Sequence, residues 1–251
     1  MQTKVKTADE IVAMRESGKL LATVLEVLKA KVTPGMSTQE LADIAALELH
    51  ALGGEPSFLG YQGFPDVICL SLNNEVVHGI PSKERIIHDG DILGMDFGVT
   101  YRGMITDSAR SVIVGAAKQK RHIELVRYTL ESLLAGIQAV HDQVRTGDIG
   151  ASVQKILDKY KYGIVRDLVG HGVGHQLHED PNIPNYGRAN TGPWLQAGMT
   201  IAIEPMATLG GDDVYVADDG WTILTADNSW SAHFEHTVLI TETGAEILTD
   251  V

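Results

Sequence analysis

GDILGMDFGVTYRGMITDSARS, residues 90–111, reads as a β-hairpin. Ile92, Leu93 and Val99 lead into Tyr101-Arg102-Gly103, and Met104 to Val114 returns. Asp96 and Asp107 lie on opposite arms. A two-residue turn at Tyr101-Arg102 sets them directly across from each other; a longer turn around Gly103 shifts the pairing and leaves them near neighbours. Side chains opposite each other in an antiparallel pair sit close, on one face of the sheet. Aspartate is disfavoured in strands, and two facing carboxylates repel, so burial would push one pKa strongly upward. Something positive must lie between them. No Lys or Arg occupies a same-face position in either arm unless Arg110 folds back, so a bound cation is the economical answer. On the hairpin alone the plainer alternative, two aspartates on a wet face or near strand ends, stays open.

The segments before the hairpin supply packing. Thr7-Ala8-Asp9-Glu10 has the form of a capping box, with Thr7 as N-cap, and opens a helix carrying Ile11, Met14, Leu21, Val24, Leu25 and Leu28. That helix must end before Pro34-Gly35. Ser37-Thr38-Gln39-Glu40 repeats the box and opens a second helix that stops at Gly53-Gly54. PSFLGYQGFPD, residues 56–66, is loop-like; Tyr61 and Phe64 there suit either a core or a pocket wall. Val67 to Leu72 is a short apolar strand, and His78-Gly79-Ile80-Pro81 places a histidine at the end of an extended run.

After the hairpin, the apolar spacing predicts a long helix from roughly Ala117 to Val144 and another from about Asp148. The order helix, short glycine turn, capped helix, strands occurs in both halves: Val32-Thr33-Pro34-Gly35-Met36-Ser37 is echoed by Val144-Arg145-Thr146-Gly147-Asp148-Ile149, 112 residues later. A duplicated αβ half implies two related halves around a shared centre, and antiparallel hairpins with helices on one side give an α+β layer.

Composition bounds the function. The 251 residues are 44% hydrophobic with a formal net charge of −13 and no Lys/Arg-rich run. That disfavours nucleic acid or an anionic membrane as partner. Cys69 is the single cysteine, so no intrachain disulfide forms. The first ten residues lack an apolar core of the signal-peptide kind, and no apolar run approaches spanning length, so a cytoplasmic protein is expected.

The second half holds the remaining chemistry. VGHGVGHQLHEDPNIPNYG, residues 169–187, puts His171, His175 and His178 in an eight-residue window. Histidine is the commonest side-chain metal ligand. Glu204 ends the apolar run GMTIAIEP, and Glu235 lies in SAHFEHTVLI, read as strand. A buried glutamate in such a run needs a partner. Four carboxylates and one or more histidines in β context suit hard or borderline divalent ions. Five ligands carrying four charges exceed what one ion needs and suit a two-metal site able to activate water for amide hydrolysis.

The ordered set Asp96, Asp107, His171, Glu204 and Glu235, with HGIP at 78–81, GHGVGHQLHEDP at 170–181, GMTIAIEP at 198–205 and SAHFEHT at 231–237, resembles the signature of the type I methionine aminopeptidases. The resemblance runs from the first helix to the last strand. It implies the pita-bread fold: α+β, two pseudo-symmetric αβ halves with antiparallel sheet around a dinuclear metal centre, in a single catalytic domain over 1–251. It implies that these five residues bind two divalent ions (Co, Mn, Fe or Zn), with Asp107 and Glu235 bridging. Glu204 would also shuttle a proton, His178 would contact the scissile amide and His78 would assist. Tyr61, Phe64, Cys69, Leu177 and Trp221 would line the methionine pocket. The implied partners are N-terminal Met peptides and nascent proteins with a small second residue, acted on by a monomer. Two positions depart: Gln62 stands where many relatives have histidine, and His175 where arginine or a small residue is commoner. GHGVGH also occurs in the Xaa-Pro peptidases of the same fold, which usually carry an extra N-terminal domain. Those peptidases are the alternative reading, with a non-catalytic peptide-binding module behind them.

Overall fold

Both capping boxes form. The computed structural model describes residues 3–251, and its first helix, α1 (Ala8–Lys31), starts with Thr7 Oγ1 accepting the Glu10 N–H while the Glu10 carboxylate accepts the Thr7 N–H. Helix α2 (Thr38–Leu52) starts the same way at Ser37 and Glu40 and ends on Gly53 in the left-handed region. Glu10 is held at about pKa 2, chiefly by the Thr7 N–H and next by His175, whose Nε2–H donates at 2.8 Å. A depressed carboxylate adds stability that is present above its unfolded value and lost as pH falls through the folded one. Between about pH 4.5 and about pH 2, Glu10→Gln is therefore expected to show a shallower loss of unfolding free energy than the parent, read by denaturant titration at stepped pH.

The remaining elements follow in order. The first half contains β1 (Glu55–Pro56), a 3-10 turn (Tyr61–Gly63), β2 (Cys69–Leu72), β3 (Glu75–Val77), β4 (Ile92–Tyr101) and β5 (Met104–Ile113). The second contains α3 (Lys120–Gln138), α4 (Thr146–Tyr160), β6 (Gly163–Ile164), β7 (Gly170–Gly172), β8 (Glu179–Ile183) and β9 (Thr200–Ile203). It continues with β10 (Met206–Thr208), β11 (Val214–Val216), β12 (Ile223–Thr225), β13 (Ser231–His233), β14 (His236–Ile240) and β15 (Ala245–Ile247). Strands β1, β4, β2 and β5 form one antiparallel sheet, and β15, β14, β9, β7 and β8 another. Leu21, Leu25 and Leu28 of α1 and Leu41 and Leu49 of α2 pack on Leu93, Met95, Phe97 and Val99 of the first sheet. Leu133, Ile149 and Val153 of α3 and α4 pack on Ile201, Ile203 and Val238 of the second. The helices thus cover one face of each sheet, and side chains on the opposite face, Asp96 and Asp107 among them, line a central cavity. Among the described residues no helix is long and apolar enough to cross a membrane.

Three sequence expectations need correction. The hairpin turns on Arg102-Gly103, with φ of 49° and 78°, so Tyr101 pairs with Met104. Two consecutive positive φ values match the right-handed twist of the arms, and glycine at the second position makes this turn cheap. The register then sets Asp96 opposite Ala109 and Asp107 opposite Gly98. The aspartates are diagonal neighbours on one face, each facing a residue with almost no side chain. Arg110 belongs to the other face, where it pairs with Glu26 of α1. Second, α3 is shorter than its apolar pattern. Ala139 and Val140 donate to Gly136 and Ile137, tightening the last turn, and Gln143 at φ 60° turns the chain away. Third, the internal repeat falls at 108 residues rather than 112. Ile87 N–H donates to the Met36 carbonyl and Leu195 N–H to that of Val144, each at 2.8 Å. Isolated bridges join Ser37 to Ile86 and Arg145 to Trp194. By the same offset Asp96 on β4 corresponds to Glu204 at the end of β9.

Candidate metal centre

Each half sends two carboxylates to the middle. Asp96 and Asp107 come from the β4–β5 hairpin. Glu204 follows β9, whose last residue Ile203 pairs with His236. Glu235 lies in the link between β13 and β14, one residue before the strand in which its sequence places it. Its backbone pairs with Ala109 instead (N–H to O 2.9 Å), and Ser108 Oγ donates to its carbonyl at 2.6 Å. Thr237 Oγ1 receives the Asp107 N–H at 2.9 Å and donates to the Asp107 carbonyl at 2.8 Å. These bonds stitch the two sheets edge to edge and fix the carboxylates relative to one another.

His171 on β7 completes the set. Its Nδ1–H donates to the Gly172 carbonyl at 2.9 Å, so Nε2 carries the lone pair. Nε2 lies 3.5 Å from Glu204 Oε1 and 3.9 Å from both Asp107 Oδ2 and Glu235 Oε1. Burial, followed by the nearby His178, lowers the His171 pKa to about 3, so the ring is neutral. Burial pushes the carboxyls the opposite way: Asp107 rises to about 7, and Asp96, Glu204 and Glu235 are pushed well above the usual carboxylate range, first by burial and then by the charge of neighbouring carboxylates. Asp96 Oδ1, Asp107 Oδ1, Glu235 Oε1 and His233 Nε2 are buried without a hydrogen-bond partner, and no Lys or Arg lines the cavity. Uncompensated buried acceptors of this kind are costly. Oxygen donors with one imidazole fit divalent cations, and Asp107, His171 and Glu235 can each offer an atom within 4.8 Å of the others.

All twelve site residues read from the sequence line one cavity of about 170 Å³. Phe64, Cys69 and Leu177 form its apolar wall with Phe58, and Tyr61 and Trp221 pack against them. Phe64 meets Trp221 edge to face at 5.2 Å. An Asp219 carboxylate accepting the Trp221 and Thr222 N–H groups holds the indole there. Tyr61 Oη and His178 Nδ1 are 2.8 Å apart, and the His178 ring sits 4.4 Å from that of His171. His78 has φ 60°, a strained value that points to a functional constraint, and its ring faces Trp221 at 6.3 Å. Burial, then the neighbouring His178, lowers its pKa to about 4. Gln62 is exposed at the cavity. His175 is not in the wall; it points at Glu10.

Sequence reading missed His233, whose Nε2 is 3.6 Å from Glu204 Oε2, and Phe58. The signal for His233 was present in SAHFEH, where positions 233 and 235 share a face of an extended chain.

Residues 12–242 match the model of metallopeptidase family M24. The chain is 44% identical to a methionine aminopeptidase of Clostridium perfringens and 45% identical to methionine aminopeptidase 1 of Bacillus subtilis, over 98% of each chain in both cases. Among solved structures it superposes on methionine aminopeptidase from Thermotoga maritima with a TM-score of 0.97, at 43% identity and 100% coverage of both chains. Prolidase from Pyrococcus furiosus matches with a TM-score of 0.77 at 25% identity, across 98% of this chain and 65% of that one. The pita-bread arrangement of two αβ halves is common to these structures.

Proposed function

The chain belongs to metallopeptidase family M24, and from that premise we infer that it is a methionine aminopeptidase, hydrolysing the first peptide bond of peptides and proteins that begin with methionine and a small residue. The observation that carries the reading is the cavity itself: a carboxylate–imidazole cluster on one side and an apolar, aromatic wall containing Cys69 on the other. A flexible, polarisable thioether suits that wall.

Two divalent ions are proposed, held by Asp96, Asp107, His171, Glu204 and Glu235; bound there, they would supply a water activated at neutral pH and polarise the scissile carbonyl. The protein groups do the rest. Glu204, whose burial raises its pKa well above the carboxylate range, can hold the proton taken from the attacking water and deliver it to the leaving amine. His233 Nε2 lies beside Glu204, 3.6 Å from Oε2 and without a hydrogen bond to it. Tyr61 O–H donating to His178 Nδ1 leaves the His178 Nε2–H free to donate to the scissile amide. His78 stays neutral and assists beside Trp221.

Metal-stripped protein titrated with Mn(II) by calorimetry should bind two ions per chain and regain release of methionine from Met-Ala-Ser. Binding without any release would sink the enzyme reading. Trp221→Ala should lower kcat/KM for this peptide by roughly 10–100-fold, the cost of a lost apolar pocket contact, with the metal stoichiometry unchanged.

A further inference from the structure

The beginning of the chain reaches the loop that carries His178. Residues 173–178 join β7 to β8, and Leu177 and His178 of that loop line the cavity. Glu179 closes the loop at its base: Oε1 accepts the N–H groups of His175 at 2.7 Å and Gln176 at 3.0 Å. Its Oε2 meets Lys6 Nζ at 3.2 Å, and the two side chains are 1% and 0% exposed. Lys6 Nζ also donates to Thr3 Oγ1 at 2.9 Å. The segment 3–7 lies flat on this region, with the Thr3 N–H donating to the Asp180 carbonyl at 2.6 Å and the Lys6 N–H to that of Gly198 at 2.8 Å. Only glycine fits at 174, where φ is +144° and a Cβ would lie 2.5 Å from Lys6 Cε. Outside, His175 and Glu10 latch the same loop to the first turn of α1.

None of these N-terminal residues lines the cavity. A buried ion pair is a poor source of stability, since an apolar pair of similar volume often does as well. What the pair does supply is geometry, because Lys6 offsets the charge of the buried carboxylate through which Glu179 binds two loop N–H groups. We propose that Lys6 and Glu179 are positioning residues for hydrolysis, holding the 173–178 loop so that His178 keeps its place between Tyr61 and His171. This rests on the methionine aminopeptidase reading, in which His178 touches the scissile amide.

The test is a kinetic cycle on metal-loaded protein with Met-Ala-Ser. Lys6→Met should lower kcat by roughly 10–100-fold, as expected for a small misplacement of a group at the reaction centre, with KM moving far less. In a His178→Ala background the same substitution should cost less than about twofold, because its effect passes through His178. Adding Glu179→Gln to Lys6→Met should restore most of kcat, since the amide oxygen still accepts both N–H groups and no buried charge is left alone. Equal losses in both backgrounds, or a lowered Tm with parental kcat, would overturn the proposal. If Lys6→Met does not fold, His175→Ala, which cuts only the partly exposed latch, is run through the same cycle: a loss of kcat that disappears with His178→Ala supports the proposal, and an equal loss in both backgrounds overturns it. A parent that releases no methionine would defeat the functional reading instead; an active parent with no coupling would defeat the positioning role alone.

Discussion

Glu204→Gln is expected to lower kcat for methionine release by about 10³-fold or more, within the range for losing a positioned proton carrier, without disturbing the fold. The side chain is buried, and desolvation together with the charges of Asp96 and Asp107 favours its protonated form. Glutamine keeps the shape and one acceptor oxygen but can neither take nor return a proton. Its backbone carbonyl still accepts the Asn185 Nδ2–H at 3.0 Å, so the link to the loop after β8 survives. Single-turnover kinetics measured beside a thermal melt separates chemistry from unfolding. Full activity in a folded variant would show that another group carries the proton.

Asp96→Asn has two effects of opposite sign. Metal affinity should fall by more than the roughly 10–100-fold typical of losing an outer hydrogen-bond partner, and turnover should fall with it. The metal-stripped variant, however, should be more stable than the metal-stripped parent. Four carboxyls crowd the centre with no Lys or Arg among them, and Asp96 Oδ1 has no hydrogen-bond partner. Removing one such acid relieves desolvation and repulsion that nothing else in the protein offsets. A gain of about 1–3 kcal/mol is expected, or roughly 3–10 °C in Tm for a chain of this size. Scanning calorimetry with and without metal tests both signs in one series. A variant less stable than the parent in the stripped state would mean that the cluster is internally balanced without cations.

Much of this site was legible because its chemistry is local and ordered along the chain. A carboxylate in an apolar β run stands out wherever it occurs, and Asp96, Asp107, Glu204 and Glu235 each did. The capping boxes at Thr7 and Ser37 were legible for the same reason, since donor and acceptor lie three residues apart. What escaped depends on backbone angles or on distant partners. The hairpin register hinges on Arg102 adopting a positive φ, which moves every cross-strand pair by two residues. Helix α4 begins at Thr146, with Arg145 as its N-cap, rather than at about Asp148, because Asp148 accepts the Arg145 N–H and so acts from inside the helix. Lys6 looks like an exposed terminal lysine in sequence, and only folding brings it to Glu179, 173 residues away. Glu235 reads as strand because its neighbours are β-forming, yet its backbone is taken by Ala109 of the other half.

The measurement that bears most directly on the central claim is cleavage by metal-stripped protein, to which Mn, Co, Fe(II) or Zn is returned separately. Three peptides are offered, beginning Met-Ala, Leu-Ala and Ala-Pro. Metal-dependent release of methionine from the first, with the other two left intact, is the expected result. Cleavage of the Ala-Pro peptide alone, or no cleavage of any peptide by folded, metal-loaded protein, would contradict it.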